Sequence, residues 1–393
     1  MTRAFLLGIR LYLRWFLQSL CAEARRRAPF TVHRILVLLL VTFAFGILQL
    51  IHWIALFADE LLFRGYRKIQ IQAPLFISGI PRSGTTFVHR FLQHNIREFS
   101  SFTTWEVLFA PAISERVIIC AIARFDRLLG RPFNRLLSHA TILLARLTDE
   151  VHPVRLDASE EDYLSLLPIG GCFIGFLLFP GSKDIWKLAA FEKLPVREQT
   201  ILLDFYHRCL QRHLWFHGKE KRLLSKNAAF GTWLPSLQKR YPDAQVILCI
   251  RPPRKALQSN LSSLRSAISG LGNKPAADWI ESRLTSAFAD TFPQLLQLAL
   301  TTPQNQLAIL DQPALRTDPV AELARILSQL KMCPIGDLAE SIRMDQQTQP
   351  AQQAHRHTWF NEFSNSADFD SRTEPVYEQM RSLAQRSQPS SNF

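Results

Sequence analysis

Residues Pro74 to His89 read PLFISGIPRSGTTFVH, and this stretch could do chemistry. An apolar run, Leu75-Phe76-Ile77, enters a loop bounded by Gly79 and Gly84, and Phe87 to Leu92 then has helical spacing. A strand that turns through such a loop into a helix aims backbone N–H groups and a helix N-terminus at one point, which favours a phosphate-like oxyanion. The ATP-binding pattern Gly-x-x-x-x-Gly-Lys-Ser/Thr is met at the glycines, but Thr85 stands in the lysine place. Arg82 supplies a cation from inside the loop instead. The loop can hold an oxyanion without the lysine that reaches the outer phosphates of ATP.

A second cation sits where a second strand should end. Gln245 to Ile250 is a short apolar run and reads as a buried strand. Arg251 follows it, Pro252-Pro253 breaks it, and Arg254 to Ile268 has helical character, with Pro253 suited to a first helical turn. A guanidinium binds phosphate as a fixed fork.

The string Ile80-Pro81-Arg82-Ser83-Gly84-Thr85-Thr86 resembles the 5′-phosphosulfate loop of sulfotransferases that use 3′-phosphoadenosine 5′-phosphosulfate (PAPS). Arg251, with Ser259 eight positions on, is similar to that family's 3′-phosphate site. Weaker similarities follow to the broad bacterial-type group related to tyrosylprotein sulfotransferases. They lie at Thr104 to Pro111, Leu223 to Phe230, Ile309 to Leu323, and His355-Arg356-His357-Thr358-Trp359, so the resemblance runs from about Pro74 to about Phe369. Two positions depart from the pattern: the family's histidine falls at Phe230, and its proline at Ala228.

The resemblance implies an α/β fold, a P-loop-like parallel sheet flanked by helices, and transfer of a sulfuryl group from PAPS to a hydroxyl or amine without a metal. Arg82, Ser83, Gly84, Thr85 and Thr86 would hold the 5′-phosphosulfate, and Arg251 and Ser259 the 3′-phosphate. Lys226 would stabilise charge on the moving group. Glu106 is the first candidate for the base, because its segment matches one that carries a glutamate base in the tyrosylprotein relatives; Glu161 and Asp162 come next. Two other readings stay open. One is a P-loop-like kinase, against which the missing lysine argues. The other is a catalytically inactive membrane-bound nucleotide-binding or scaffold protein, which Phe230 keeps in play.

These residues need a domain to position them. The chain has 393 residues, and the part from about residue 70 to 385 is long enough for one large α/β domain with its own core, followed at 386–393 by a tail expected to be disordered. The six cysteines form no C-x-x-C pair, which disfavours a zinc site or a disulfide framework. The formal net charge of +13 comes without lysine runs interleaved with aromatics, so nucleic acid is not expected as a partner. Anionic lipid and an anionic cosubstrate are.

The first seventy residues differ in kind. Residues 35–57 are long and apolar enough to cross or enter a bilayer. Residues 1–34 form a basic amphipathic segment, with Arg3, Arg10, Arg14 and Gln18 on one side of a helix and Arg25-Arg26-Arg27 beyond it. The arginines before the apolar stretch would keep the N-terminus in the cytoplasm and put the domain outside, whereas PAPS is cytosolic. A cytoplasm-facing domain is expected, with the apolar stretch dipping into the membrane or forming a hairpin. The acceptor is left open among lipid, glycan and protein hydroxyls. Ser165 to Phe179, apolar and glycine-rich, reads as a wall of the acceptor pocket or as a plain core segment.

Overall fold

The computed structural model describes residues 1–131, 156, 158–332, 340, 342–343 and 366–386. The two apolar runs read as strands, at Leu75–Ile77 and Gln245–Ile250, are strands of a five-stranded sheet. Its strands are β1 (Leu75–Gly79), β2 (Phe99–Ser100), β3 (Arg222–Lys226), β4 (Gln245–Ile250) and β5 (Leu307–Asp311). All neighbours pair in parallel, in the order β2-β3-β1-β4-β5. Each residue of β1 is buried, as a strand covered on both faces requires. Leu75 and Ile77 pack with Val88, Phe91 and Leu92 of the helix that follows, α4 (Thr85–Gln93). Phe76 points the other way, into a larger core that holds Phe205, Leu257, Phe292 and Met380. The period of two in side-chain direction thus divides the interior into two layers.

The larger core is built by α7 (Val196–His217), α9 (Pro253–Gly270), α10 (Ala277–Thr301) and α13 (Ser366–Arg386). Between α4 and α7 come α5 (Thr104–Phe109) and α6 (Ile113–Leu128), and α8 (Leu234–Arg240) follows β3. Beyond β5, α11 (Gln312–Thr317) and α12 (Pro319–Gln329) close the smaller core, where Leu315, Leu323 and Ile326 are buried. The His355–Trp359 segment and the residues from 387 onward lie outside the described residues.

The N-terminal segment is α1 (Thr2–Ser19), α2 (Ala22–Arg27) and α3 (Val32–Leu62). The apolar stretch at 35–57 is the middle of this longer helix, which starts where the Thr31 hydroxyl accepts from the Arg34 N–H at 3.2 Å. α3 is long and apolar enough to cross a membrane. Ala4, Leu7, Leu11 and Trp15 of α1 and Trp53 and Leu56 of α3 belong to the larger core. The polar side of α1 does not form a free basic face throughout. Arg14 pairs with Asp184 at 3.0 Å, the Ser182 hydroxyl donates to Gln18 Oε1 at 2.7 Å, and Tyr12 donates to the Leu167 carbonyl at 2.5 Å. Only Arg3 and Arg10 of the expected stripe stay exposed, because the Asp184 carboxylate recruits Arg14 and the Ser182 hydroxyl and Asp184 N–H recruit Gln18.

One close approach fixes the sheet's functional edge. Gly79 has φ of 134°, and a Cβ there would lie 2.2 Å from the Cys249 carbonyl oxygen on β4. That oxygen accepts from the Ile80 N–H at 3.0 Å, so the strands stay in contact up to the point where the loop departs. Gly79→Ala is therefore expected to destabilise the fold by about 3 kcal/mol or more, since both the backbone angle and the space forbid a side chain. Thermal unfolding of the variant measures this, and an unchanged midpoint would refute it.

Candidate active site

In the order β2-β3-β1-β4-β5, chain segments after β1 first build outward on one side and then cross to the other at β4. The boundary between β1 and β4 is therefore a topological switch point, and ligands of open parallel sheets bind outside the carboxyl ends of such strands. The loop after β1 and Arg251 after β4 both lie there. Gly84 caps α4 with φ of 94°, and Arg82 adopts φ of 67°, a left-handed conformation that is costly for a residue with a side chain. The turn holds because the Ser83 hydroxyl, fully buried, donates back to the Ile80 carbonyl at 2.5 Å.

The phosphate-site candidates meet. Arg82 Nε donates to Ser259 Oγ at 3.2 Å, and Arg251 Nη1 donates to the Arg82 carbonyl at 2.9 Å. Ser259 lies on α9, whose first helical residue is Pro253. A cavity of about 450 Å³ is lined by Arg82, Gly84, Thr85, Thr86 and Arg251, while Ser83 and Ser259 are buried and not among its lining residues. Arg316 of α11 adds a further guanidinium. It was not read from the sequence, although it follows a third parallel strand at the same sheet edge. Burial lowers the pKa of Arg251, and Arg316 and Arg82 lower it further. Among the described residues, Arg251 Nε is buried without a hydrogen-bond partner. Four guanidinia line the cavity, Arg82, Arg90, Arg251 and Arg316, and the like charge of Arg82 and Arg316 around Arg251 suits a multiply charged anion.

Other candidates divide. Lys226 ends β3, nearly buried, with Nζ 3.8 Å from both Glu160 Oε1 and Glu161 Oε1. It stands behind the lining, and His89 beside it is pushed by burial, and then by the Lys226 charge, to a pKa of about 3. Glu161 itself lines the cavity. Burial raises its pKa, and Lys226 partly opposes the rise. Asp162 is buried against the Tyr206 hydroxyl at 2.5 Å, and burial pushes it to about 7, but it is not among the lining residues. Phe230 falls in a short 3-10 turn after β3, and its side chain lies outside the described residues.

Glu106 requires a correction. It does not line the cavity. It is fully buried at the third position of α5, where Oε2 accepts from the Thr103 N–H at 2.9 Å and the Thr103 hydroxyl at 2.8 Å. Oε1 faces His217 Nε2 at 2.5 Å and Arg116 Nη1 at 3.2 Å. The reciprocal cap between Thr103 and Glu106 is a helix-start device, and its Thr-x-x-Glu spacing is visible in the sequence. Glu106, His213 and His217 offer three ligand atoms within 4.8 Å of one another, a set that could hold a metal ion. The Arg116 guanidinium, 3.2 Å from Glu106 Oε1 and 3.3 Å from His213 Nδ1, already supplies the cation there.

The far wall of the cavity is apolar: Phe173, Ile174 and Phe176 from the glycine-rich segment face Leu264, Leu284 and Phe288. The same stretch also supplies core residues, Leu166 and Ile169.

A parallel sheet with a glycine-bounded loop at its switch point defines an α/β protein of P-loop-like architecture. The model of the Sulfotransferase family matches residues 180–333, which carry Lys226, Arg251, Ser259 and Arg316 but begin after the Gly79–Gly84 loop. Two solved structures share the fold. A sulfotransferase from Mycobacterium avium is 15% identical with a TM-score of 0.64, and one from Mycobacterium tuberculosis is 19% identical with a TM-score of 0.59. Each alignment covers 83% of this chain and 80% of the other. No curated protein is significantly similar in sequence. Residues 180–333 thus match the sulfotransferase family, and the fold is one shared with solved sulfotransferases.

The Glu106 environment predicts a pH effect. Burial alone would raise the pKa of Glu106, but Arg116, His213 and His217 together outweigh burial and hold the carboxyl below its ordinary 4.5. A depressed carboxyl stabilises the fold above its unfolded pKa, and this contribution fades as pH falls below 4.5. Glu106→Gln should thus cost about 3 kcal/mol at neutral pH and flatten the acid side of the stability curve. Urea denaturation between about pH 7 and pH 3 reads both effects. A variant as stable as the parent at neutral pH would contradict the structural role.

Proposed function

We propose that this protein is a membrane-associated, PAPS-dependent sulfotransferase that moves a sulfuryl group onto a hydroxyl or amine at the apolar end of the cavity. The observation that carries the reading is the convergence of Arg82, Arg251 and Ser259 on one edge of the sheet. In this reading the loop N–H groups, Arg82, Thr85 and Thr86 hold the 5′-phosphosulfate, and Arg251 and Ser259 hold the 3′-phosphate. No metal is assigned a role. A catalytic domain facing the cytoplasm would draw on the cytosolic pool of PAPS.

Glu161 takes the base role in place of Glu106. It lines the cavity, and burial makes its carboxylate a better proton acceptor than an exposed one. The acceptor oxygen or nitrogen forms a bond to sulfur as the bond from sulfur to the 5′-phosphate oxygen breaks. The acceptor proton passes to Glu161, and adenosine 3′,5′-bisphosphate carries away the bond's electron pair. Arg82 neutralises charge on the oxygens that share it, and Lys226 acts from behind Glu161, by analogy with phosphoryl transfer.

Calorimetric titration with adenosine 3′,5′-bisphosphate tests the donor site, with ATP and AMP as controls. Selective binding is expected, and Arg251→Ala should weaken it about 10- to 100-fold, the loss of one or two charge-assisted hydrogen bonds. Equal affinity for ATP, or no change in Arg251→Ala, would overturn the assignment. Glu161→Gln should bind the nucleotide like the parent but lose at least about 100-fold in transfer to the acceptor. Full turnover in that variant would place the base elsewhere.

A further inference from the structure

α3 is held by the domain at both ends. Near its start, Arg34 is 1% exposed, Arg34 Nη1 donates to the Ala28 carbonyl at 2.5 Å, and the helix backbone presses on the turn after α9. A Cβ placed on Gly272 of that turn would lie 2.8 Å from Arg34 Cα. Near its end, His52 Nδ1 lies 2.6 Å from Glu115 Oε1 of α6, and Asp59 Oδ2 accepts from Arg212 Nε of α7 at 3.0 Å. Between these points α3 runs antiparallel to α1, with Tyr12 edge-on to Phe45 and Phe5 edge-on to Trp53.

At the rise of an α-helix, Arg34 and Asp59 are about 37 Å apart, more than the ~30 Å hydrocarbon core of a bilayer. A crossing α3 would put the two anchors in opposite headgroup layers. The single domain that grips both would then have to pass through the hydrocarbon. The helix axis must instead lie along the domain surface.

The outward face of that surface is apolar. Leu36, Leu40, Phe43 and Leu50 of α3 are 61–70% exposed and share one side of the helix. Leu13 and Leu17 of α1 and Ile118 and Phe125 of α6 are exposed beside them, on helices that touch α3 or lie along it. Soluble monomers rarely leave an apolar surface of this extent in water. Arg3, Arg10, Arg25, Arg26, Arg124 and Arg127 are exposed on the same N-terminal helices and on α6. With the net charge of +13, they fit anionic headgroups.

We infer that α1, α3 and α6 form a monotopic seat that sinks into one leaflet of an anionic bilayer, with α3 in the membrane plane and both its ends on the domain's side. The inference deepens the membrane-bound part of the proposed function and does not depend on the transfer chemistry. It removes the orientation conflict, because the positive-inside rule sorts charges across a span. It also places the apolar cavity wall close behind the seat: a Cβ on Gly175, between the lining residues Ile174 and Phe176, would lie 3.5 Å from Trp15 of α1.

Two measurements on the full chain test it. Inverted membrane vesicles from expressing bacteria are treated with an impermeant maleimide. One sample reports on exposed Cys21, before α3, and a second on Glu220→Cys, in the domain after α3, each in a background lacking other accessible thiols. Both sites should label in the same vesicles without permeabilisation; labelling on opposite sides means a span and overturns the inference. Flotation with phosphatidylcholine vesicles containing about a third phosphatidylglycerol then compares the parent with Leu13→Glu/Leu36→Glu/Leu40→Glu. The bound fraction should fall at least ~10-fold in the triple variant, with adenosine 3′,5′-bisphosphate binding and helical circular dichroism kept as fold checks. Equal flotation of the two proteins, or a parent that stays free of vesicles as a soluble oligomer, overturns the seat. A parent that floats but binds no nucleotide leaves the seat standing and removes the transfer reading.

Discussion

The structure depends on how tightly β1 lies against β4 at the end of the strand pair. Two backbones can run side by side as far as Gly79 and Cys249 only because one of them lacks a side chain. Past that point the chains part in opposite directions, one into the loop of Arg82 and the other into Pro252-Pro253 and α9. The gap they leave has a backbone floor and two arginine walls. The candidate anion site is therefore a consequence of strand order and of one close contact, before any particular side chain is considered.

The site works against local stability. Arg82 sits in a left-handed conformation, and Arg251 is half-buried beside two other guanidinia with no carboxylate assigned to it. Strain and like charge persist where the surroundings over-determine them. Here the surroundings are a sheet covered on both faces and a buried hydroxyl at Ser83 that ties the turn to Ile80. Two other buried arginines are neutralised by carboxylates. Arg116 lies against Glu106, and Arg212 lies against Asp59 and Glu60, all nearly out of contact with water. Breaking such a pair leaves a buried charge alone, which costs about 3–5 kcal/mol. Among the described residues, these paired arginines contrast with Arg251, which has only like charges beside it at the cavity.

What could be read from the sequence was what is local in it. The strand-loop-helix of residues 74–92 and the strand-end Arg251 each occupy one short segment, and periodicity and turn residues suffice to place them. The meeting of Arg82 with Ser259 spans 177 positions and was legible only through resemblance. Glu106 shows the opposite case. A glutamate near a helix start has one sequence pattern whether it caps or catalyses, and Thr103 three positions before it was the local sign that it caps. Glu161 ranked behind Glu106 in the sequence, because its value lies in being brought between Lys226 and the cavity by a turn of the chain. Arg316 was missed for the same reason. Its segment, Gln312–Thr317, reads as a short polar helix until β5 delivers it to the common edge.

The N-terminal helices follow the same logic at larger scale. Hydropathy alone gives α3 the character of a span, since twenty apolar residues look alike whether they cross a bilayer or lie on it. The discriminating residues are the polar ones set among them. His52 and Asp59 are spaced seven apart, two turns along one side, and each meets a charged partner on the domain, Glu115 and Arg212. A helix in lipid would have to desolvate those groups without compensation. Against the domain they are satisfied, and the leucines on the opposite side are left facing outward. α1 repeats the arrangement, with Arg14 and Gln18 turned to Asp184 and Ser182 and with Leu13 and Leu17 exposed. Two helices that turn these polar side chains toward the domain, among buried apolar ones, and show apolar side chains outward invert the outer half of the pattern of a water-soluble surface. The inversion is resolved when the outer solvent is hydrocarbon.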